Sequence, residues 1–286
     1  MIGFLNVYKP SGITSNAVVQ KIKHRFKIKK IGHTGTLDPM ACGILPIAIG
    51  KATRLFDYAL EKTKKYIAIF DFSYETETLD ADGETINTTD KVVSMSDINL
   101  VLQKMIGKQM QIPPKFSAKN IGGKRAYDLA RDGVNFELPP KEIEIFDINL
   151  IKQVDLYKFQ FEITCSSGTY IRSIGRDLAK LLGTIATMTF LERTETGNFN
   201  SLTAINLDTV LESENIENLL ISPMDVFEHY KKLELTTQMY TDLINGKFVS
   251  GVIKSNTFLT YKGNLIGVAK PNEKQIKIDT YLEDKE

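Results

Sequence analysis

Apolar residues near the start of the chain recur at helical spacing. Val18, Val19, Ile22 and Phe26 share one face of a helix that Ser15 or Asn16 can cap, and basic residues fill much of the rest. An apolar run over residues 44–49 follows, then a helix over 51–60 whose inner face holds Ala52, Leu55, Phe56 and Ala59. Tyr66 opens a strand that continues over 67–72. Residues 97–106 and 125–131 read as helices closed by Gly107 and Gly133. Two strands, 142–151 and 156–165, come next. In the second, Tyr157, Phe159, Phe161, Ile163 and Cys165 alternate onto one side, which marks a core face more than a base-stacking platform. A helix over 171–182 stops at Gly183, a strand carries Met188, Phe190 and Leu191, and 205–228 reads as mostly helical.

The pattern changes at Tyr230-Lys231-Lys232. Beyond it lie a capped helix over 236–245 and short strands around 257–261, 265–270 and 275–281, punctuated by Gly246, Gly251, Gly263 and Gly267. One helix and several short strands in about fifty-five residues fit a small barrel. The pattern therefore predicts an α+β chain with a larger domain over 1–230 and a compact one over 231–286. A length of 286 residues, 42% of them apolar, suits that division.

A formal net charge of +1 taken alone argues against a nucleic-acid binder. The distribution says more, because phosphate contacts need only a local positive surface. Lys21, Lys23, His24, Arg25, Lys27, Lys29 and Lys30 crowd together, and Lys62, Lys64 and Lys65 lie just before Tyr66. Acidic residues pool over 75–90 and 208–217. Cys42 and Cys165 have neither zinc-ligand nor disulfide-framework spacing and read as reduced, structural thiols. The N-terminal residues show no long apolar segment or cleavage site, so export and membrane anchoring are not expected and the cytoplasm is the default. Asp80-Ala81-Asp82-Gly83 suggests a calcium loop, but an EF-hand register from Thr78 places Thr89 where a bidentate glutamate is required. No metal is expected.

The densest chemistry lies in Gly32-His33-Thr34-Gly35-Thr36-Leu37-Asp38-Pro39-Met40-Ala41-Cys42-Gly43. Three glycines offer positive φ, and Pro39 pushes Asp38 toward extended backbone, so the carboxylate projects from a fixed bend. Such a loop displays a nucleophile or general base. An ordinary Asp-Pro turn reads the same way. A carboxylate in a dry pocket needs a nearby cation to stay charged, and Arg172 has the planar fork for it. From position alone Arg172 reads sooner as a surface helix residue.

This loop, followed by Cys-Gly-Ile-Leu-Pro, resembles the signature of the TruB family, the tRNA pseudouridine-55 synthases. Lys9-Pro10-Ser11-Gly12, Lys65-Tyr66, Ile112-Pro113-Pro114-Lys115-Phe116-Ser117-Ala118, Gly123-Lys124-Arg125-Ala126-Tyr127 and Cys165-Ser166-Ser167-Gly168-Thr169-Tyr170-Ile171-Arg172 resemble further family motifs, in family order. The resemblance implies a mixed, mostly antiparallel central sheet with helices outside it and a PUA-like C-terminal barrel. It implies isomerisation of the T-loop uridine, position 55 of elongator tRNAs, by a cytoplasmic monomer that grips the T-arm and needs no cofactor. Asp38 takes the catalytic position. Tyr66 and Tyr170 fall where the family contacts the base, Arg172 where it pairs with the carboxylate, His33 where it holds displaced RNA, and Leu191 in the pocket wall. Lys9 and Asp80 match supporting positions. Two departures stand out: Glu77 replaces a family aspartate, and Asn120 replaces a lysine, with Lys119 one position earlier. A tRNA-folding chaperone that flips and releases the base is the alternative reading.

Overall fold

The apolar run over 44–49 is part of a strand, Cys42–Ile49, in which every residue is buried. A computed structural model describes residues 1–59, 63–117, 119–134 and 136–282. It falls into two units, one of Met1–Leu37, Leu45–Leu60 and Leu202–Glu286, the other of Asp38–Ile44 and Glu61–Ser201. Lys62 and Ala118 lie outside the described residues, as do the side chains of Ala59, Asn120, Lys124 and Arg125.

In the second unit, strand Thr187–Thr196 is flanked by Cys42 and Gly43 on one side and by Thr63–Asp71 on the other, and Lys158–Ser166, Lys141–Gln153 and Gly107–Gln111 follow in that order. These pairings are antiparallel except at Glu192↔Cys42 and Arg193↔Gly43, where the chains run parallel. The alternation predicted for 156–165 holds: Phe159, Phe161, Ile163 and Cys165 are all fully buried. Their face is core, with Phe70 and Phe161 ring centroids 5.4 Å apart and Phe72 and Phe159 5.9 Å apart. Helix Ile171–Leu181 buries Ile171, Ile174 and Leu178. It approaches the sheet at Gly175, where a Cβ would lie 2.6 Å from the Phe70 ring.

In the first unit, helix Ser15–Arg25 packs Val18, Val19 and Ile22 on Leu5, Val7, Leu45, Ile47 and Ile49. Its cap is Thr14, whose hydroxyl accepts from the Ala17 N–H, and not Ser15 or Asn16. Ser15 is buried and bonds instead to both backbone groups of Leu37, accepting at 2.9 Å and donating at 3.1 Å. The 51–60 segment is a 3-10 turn, Gly50–Leu55, followed by the short helix Phe56–Ala59.

Residues 205–228, expected to be mostly helical, are broken into short pieces. Strand Ile205–Asn206, helix Leu207–Glu212, turn Ile216–Leu219 and helix Pro223–Val226 succeed one another. Pro223 accounts for the last break: it starts a new helix under a Ser222 cap and disfavours helix at the residue before it.

The C-terminal segment does not close into the expected barrel among the described residues. Lys231–Glu234, Thr257–Tyr261, Asn264–Ala269 and Thr280–Tyr281 form a four-stranded sheet, while Val249–Ser250 pairs separately with Gln275–Ile276. The strand predicted over 275–281 splits after Ile276, and its two halves join different partners. Leu235, Leu243, Leu259, Ile266, Ile276 and Ile278 form the local core. Among the described residues, no helix is long and apolar enough to cross a membrane.

Candidate active site

Asp38 opens a tight turn in which the Ala41 N–H donates to its carbonyl at 3.1 Å. Gly35 and Gly43 adopt the positive φ expected of the loop, +69° and +105°, but Gly32 does not. Gly32 is small for another reason, because a Cβ there would press on the Phe56 ring at 3.1 Å. At Gly43 a Cβ would fall 2.2 Å from the Arg193 carbonyl oxygen, so only glycine lets the two parallel backbones meet.

Arg172, two residues after Tyr170 at the start of its helix, grips the Asp38 carboxylate with two bonds, Nε to Oδ2 at 3.0 Å and Nη2 to Oδ1 at 3.1 Å. Nη1 donates to the Thr78 carbonyl at 3.0 Å and approaches Asp80 Oδ2 at 3.2 Å. Nη2 also donates to the Phe116 carbonyl at 3.1 Å. Acceptors on three sides, together with the Asp80 charge, thus fix the plane of the fork. Arg172 is buried and not the surface residue its position allowed.

Burial pushes the Asp38 carboxyl above its ordinary value, Arg172 pulls it back, and Asp80 and Asp82 raise it again. The Asp38 side chain remains 33% exposed, so the same carboxylate is reachable by a ligand. Asp80 is buried, accepting from the Thr78 hydroxyl at 2.6 Å and the Asp82 N–H at 3.2 Å. It therefore binds the acidic turn to Arg172.

Tyr66 is buried in the middle of the sheet, between Ile163 and Arg193 on its neighbouring strands. Burial pushes its phenol up to about 12, Arg193 lowers it, and the Asp38 charge adds a small rise. The Asp38 charge therefore reaches Tyr66. Leu191 is buried, and its carbonyl accepts from the Cys42 thiol at 3.7 Å. Tyr170 is half-buried and held by its backbone, its N–H donating to Gln111 Oε1 at 2.8 Å and its carbonyl accepting from Gln111 Nε2 at 3.1 Å.

His33 and Lys9 belong to the other unit. His33 ends strand Ile31–His33 opposite Ile47 and is half-buried. Lys9 is fully buried, its ammonium donating to the Pro10 carbonyl at 2.9 Å and the Ile13 carbonyl at 2.7 Å, so it braces the Lys-Pro-Ser-Gly turn from inside. Lys64, read from sequence as part of an outward basic cluster, is buried, and burial with Arg193 nearby lowers its ammonium to about 8.

The family model for the N-terminal domain of TruB family pseudouridylate synthases matches residues 23–171. A tRNA pseudouridine synthase B of Clostridium novyi (strain NT) is 38% identical over 290 residues, spanning 99% of this chain and 100% of that one. The chain belongs to the TruB family. A second TruB relative, the tRNA pseudouridine synthase B of Clostridium tetani (strain Massachusetts / E88), is 39% identical over 287 residues, covering 97% of this chain and 98% of its own. Among solved structures, an H/ACA RNP bound to a substrate RNA containing 2'-deoxyuridine superposes with a TM-score of 0.73 at 21% identity, over 99% of this chain and 86% of that one. A Cbf5-Nop10-Gar1 complex gives 0.73 at 23%, over 99% and 85%. At such identities the likeness speaks for the fold, the mixed α+β architecture of pseudouridine synthases with a central, mostly antiparallel sheet.

The motif reading of this TruB chain missed Arg193 and Ser15. Arg193 is fully buried beside Tyr66, and Ser15 ties down the residue before Asp38. Strand parity carried the first signal, since Arg193 is two residues from inward-facing Leu191. No pattern in the sequence marks the second.

Proposed function

We propose that this enzyme isomerises the T-loop uridine at position 55 of elongator tRNAs to pseudouridine, with Asp38 as the reacting carboxylate. The observation that carries the reading is the two-bond grip of buried Arg172 on the partly exposed Asp38. Isomerisation breaks the bond from N1 of uracil to C1' of ribose, turns the ring and joins C5 to the same carbon. N1 gains a proton and C5 loses one, so no electrons are exchanged and no cofactor is consumed. The step needs an ionised carboxylate at the sugar or ring, to bond covalently or to take a proton. Arg172 keeps Asp38 charged in a site that would otherwise neutralise it.

The target nucleotide must leave its stack to reach Asp38. Extrusion costs a few kcal/mol, and stacking on an aromatic side chain returns about 1–3 kcal/mol per base. Tyr66 and Tyr170 supply that surface, Leu191 closes the pocket wall, and His33 holds displaced RNA. Lys9 and Asp80 act indirectly, the first by bracing a turn and the second by holding Arg172. Residues 1–230 carry the chemistry, and 231–286 dock the T-arm as a compact PUA-like segment. The enzyme works as a cytoplasmic monomer.

The test is nucleotide-resolution mapping of pseudouridine after incubating the purified protein with unmodified elongator tRNA. The expected product carries pseudouridine at position 55 alone. Modification at another position, or none, contradicts the reading.

A further inference from the structure

Arg193 heads the fully buried side chains of the described residues in size, and no step assigned above uses it. It stands on strand Thr187–Thr196 directly opposite Tyr66 of the antiparallel Thr63–Asp71 strand. Its Nε donates to the Ile44 carbonyl at 2.8 Å, and its guanidinium, buried on the neighbouring strand, pulls the Tyr66 phenol down against the rise that burial causes. The glycine at position 43 lets the Arg193 backbone come close enough for this placement.

A guanidinium has donors and no acceptor. Toward its neighbour Arg193 the phenol oxygen can therefore only accept, which leaves the hydroxyl hydrogen free to point elsewhere. We propose that Arg193 is a positioning residue for the isomerisation, which holds the Tyr66 hydroxyl as a hydrogen-bond donor toward the flipped nucleotide. Tyr66 then serves as an oriented polar contact to the base as well as a stacking surface. The inference rests on the reading that the nucleotide reacts at Asp38.

Two further observations agree with it. The phenol, pushed up to about 12, keeps its hydrogen at neutral pH and is available as a donor. Burying a guanidinium is costly, and burial lowers the affinity of Arg193 for its own proton. An apolar residue of similar length would fill the same space without that cost, so packing does not account for an arginine here.

The experiment compares wild type, Arg193→Met and Arg193→Lys. Three readings are taken: single-turnover pseudouridine formation, tRNA affinity, and the 13Cζ resonance of Tyr66, assigned by its loss in Tyr66→Phe. Arg193→Met should slow the isolated step at least about tenfold and leave tRNA affinity within about twofold. Its Tyr66 resonance should move while those of the other tyrosines stay. Arg193→Lys, which still offers a donor, should recover part of the rate. An Arg193→Met enzyme at wild-type speed, or a Tyr66 resonance that stays in place, overturns the proposal. So does a parallel loss of affinity, thermal midpoint and rate in both variants. If Arg193→Met does not fold, Arg193→Lys decides by the same criterion: a moved resonance with a slower step supports it, and an unchanged rate sinks it. Failure of the function reading looks different, because wild type would then make no pseudouridine or Asp38→Asn would.

Discussion

Replacing Arg172 by lysine keeps the positive charge and removes the fork. The arginine places Nε and Nη2 on the two oxygens of Asp38 at 3.0 and 3.1 Å while its remaining N–H groups reach Asp80, Thr78 and Phe116. An ammonium has three donors radiating from one atom, so it cannot span both Asp38 oxygens and also serve the acceptors behind them. At least one charge-assisted bond to Asp38 is lost, worth about 1.5–3 kcal/mol. If that loss falls on the reacting geometry, the single-turnover rate drops about 10- to 150-fold. The pH profile carries a second signature. On the proposed mechanism Asp38 reacts ionised; its pKa is already raised by burial, and weakening its cation raises it further. The acidic limb of the rate profile should therefore move to higher pH in Arg172→Lys, making the defect worst in acid. The assay is release of tritium from tRNA labelled at uridine C5, followed at saturating enzyme across the pH range. An Arg172→Lys rate equal to wild type, or an acidic limb that does not move, refutes the argument that Arg172 keeps Asp38 reactive.

Three other outcomes rest on the same residues and on the basic surface. Because burial holds the Asp38 carboxyl above its unfolded value, its ionised form costs folding free energy at neutral pH. Asp38→Asn should raise the thermal midpoint there, with an advantage that shrinks as pH falls through the folded-state pKa; a lowered midpoint at neutral pH contradicts this. Gly43→Ala should destabilise far more than Gly246→Ala in urea denaturation. Both have positive φ, worth about 1–3 kcal/mol of strain, but only at Gly43 does the new Cβ meet a backbone oxygen, 2.2 Å away. Comparable losses would show that contact to be unimportant. Affinity for tRNA should fall steeply with salt, and Lys29→Ala, an exposed member of the first basic cluster, should reduce the log–log slope by about 1. A salt-independent affinity contradicts a role for that cluster.

Much of the fold was legible because most elements follow one period over a long enough span. The alternation through Phe159, Phe161, Ile163 and Cys165 identified a buried strand, and Val18, Val19 and Ile22 a helix face. Where two signals competed, local pattern lost. Pro223 began a separate helix inside a stretch read as mostly helical, and the strand expected over 275–281 divided between two partners. Register with other strands, which no local pattern encodes, decided that division. At the candidate site, Asp38 stood out by its glycine-punctuated loop, whereas Arg172 was singled out by the family resemblance, since its position alone suggested a surface helix residue. Lys64 was misread as outward-facing because a charge run normally lies in water. Arg193 and Ser15 were not seen, because each matters through a residue distant in sequence, Tyr66 for one and Leu37 for the other.

The most direct measurement is single-turnover pseudouridine formation by Asp38→Asn, made alongside its tRNA affinity. The amide keeps the size of the side chain and the RNA-facing surface but cannot attack or take a proton. The expected result is wild-type binding with no pseudouridine formed. Measurable turnover by Asp38→Asn would remove Asp38 from the reaction.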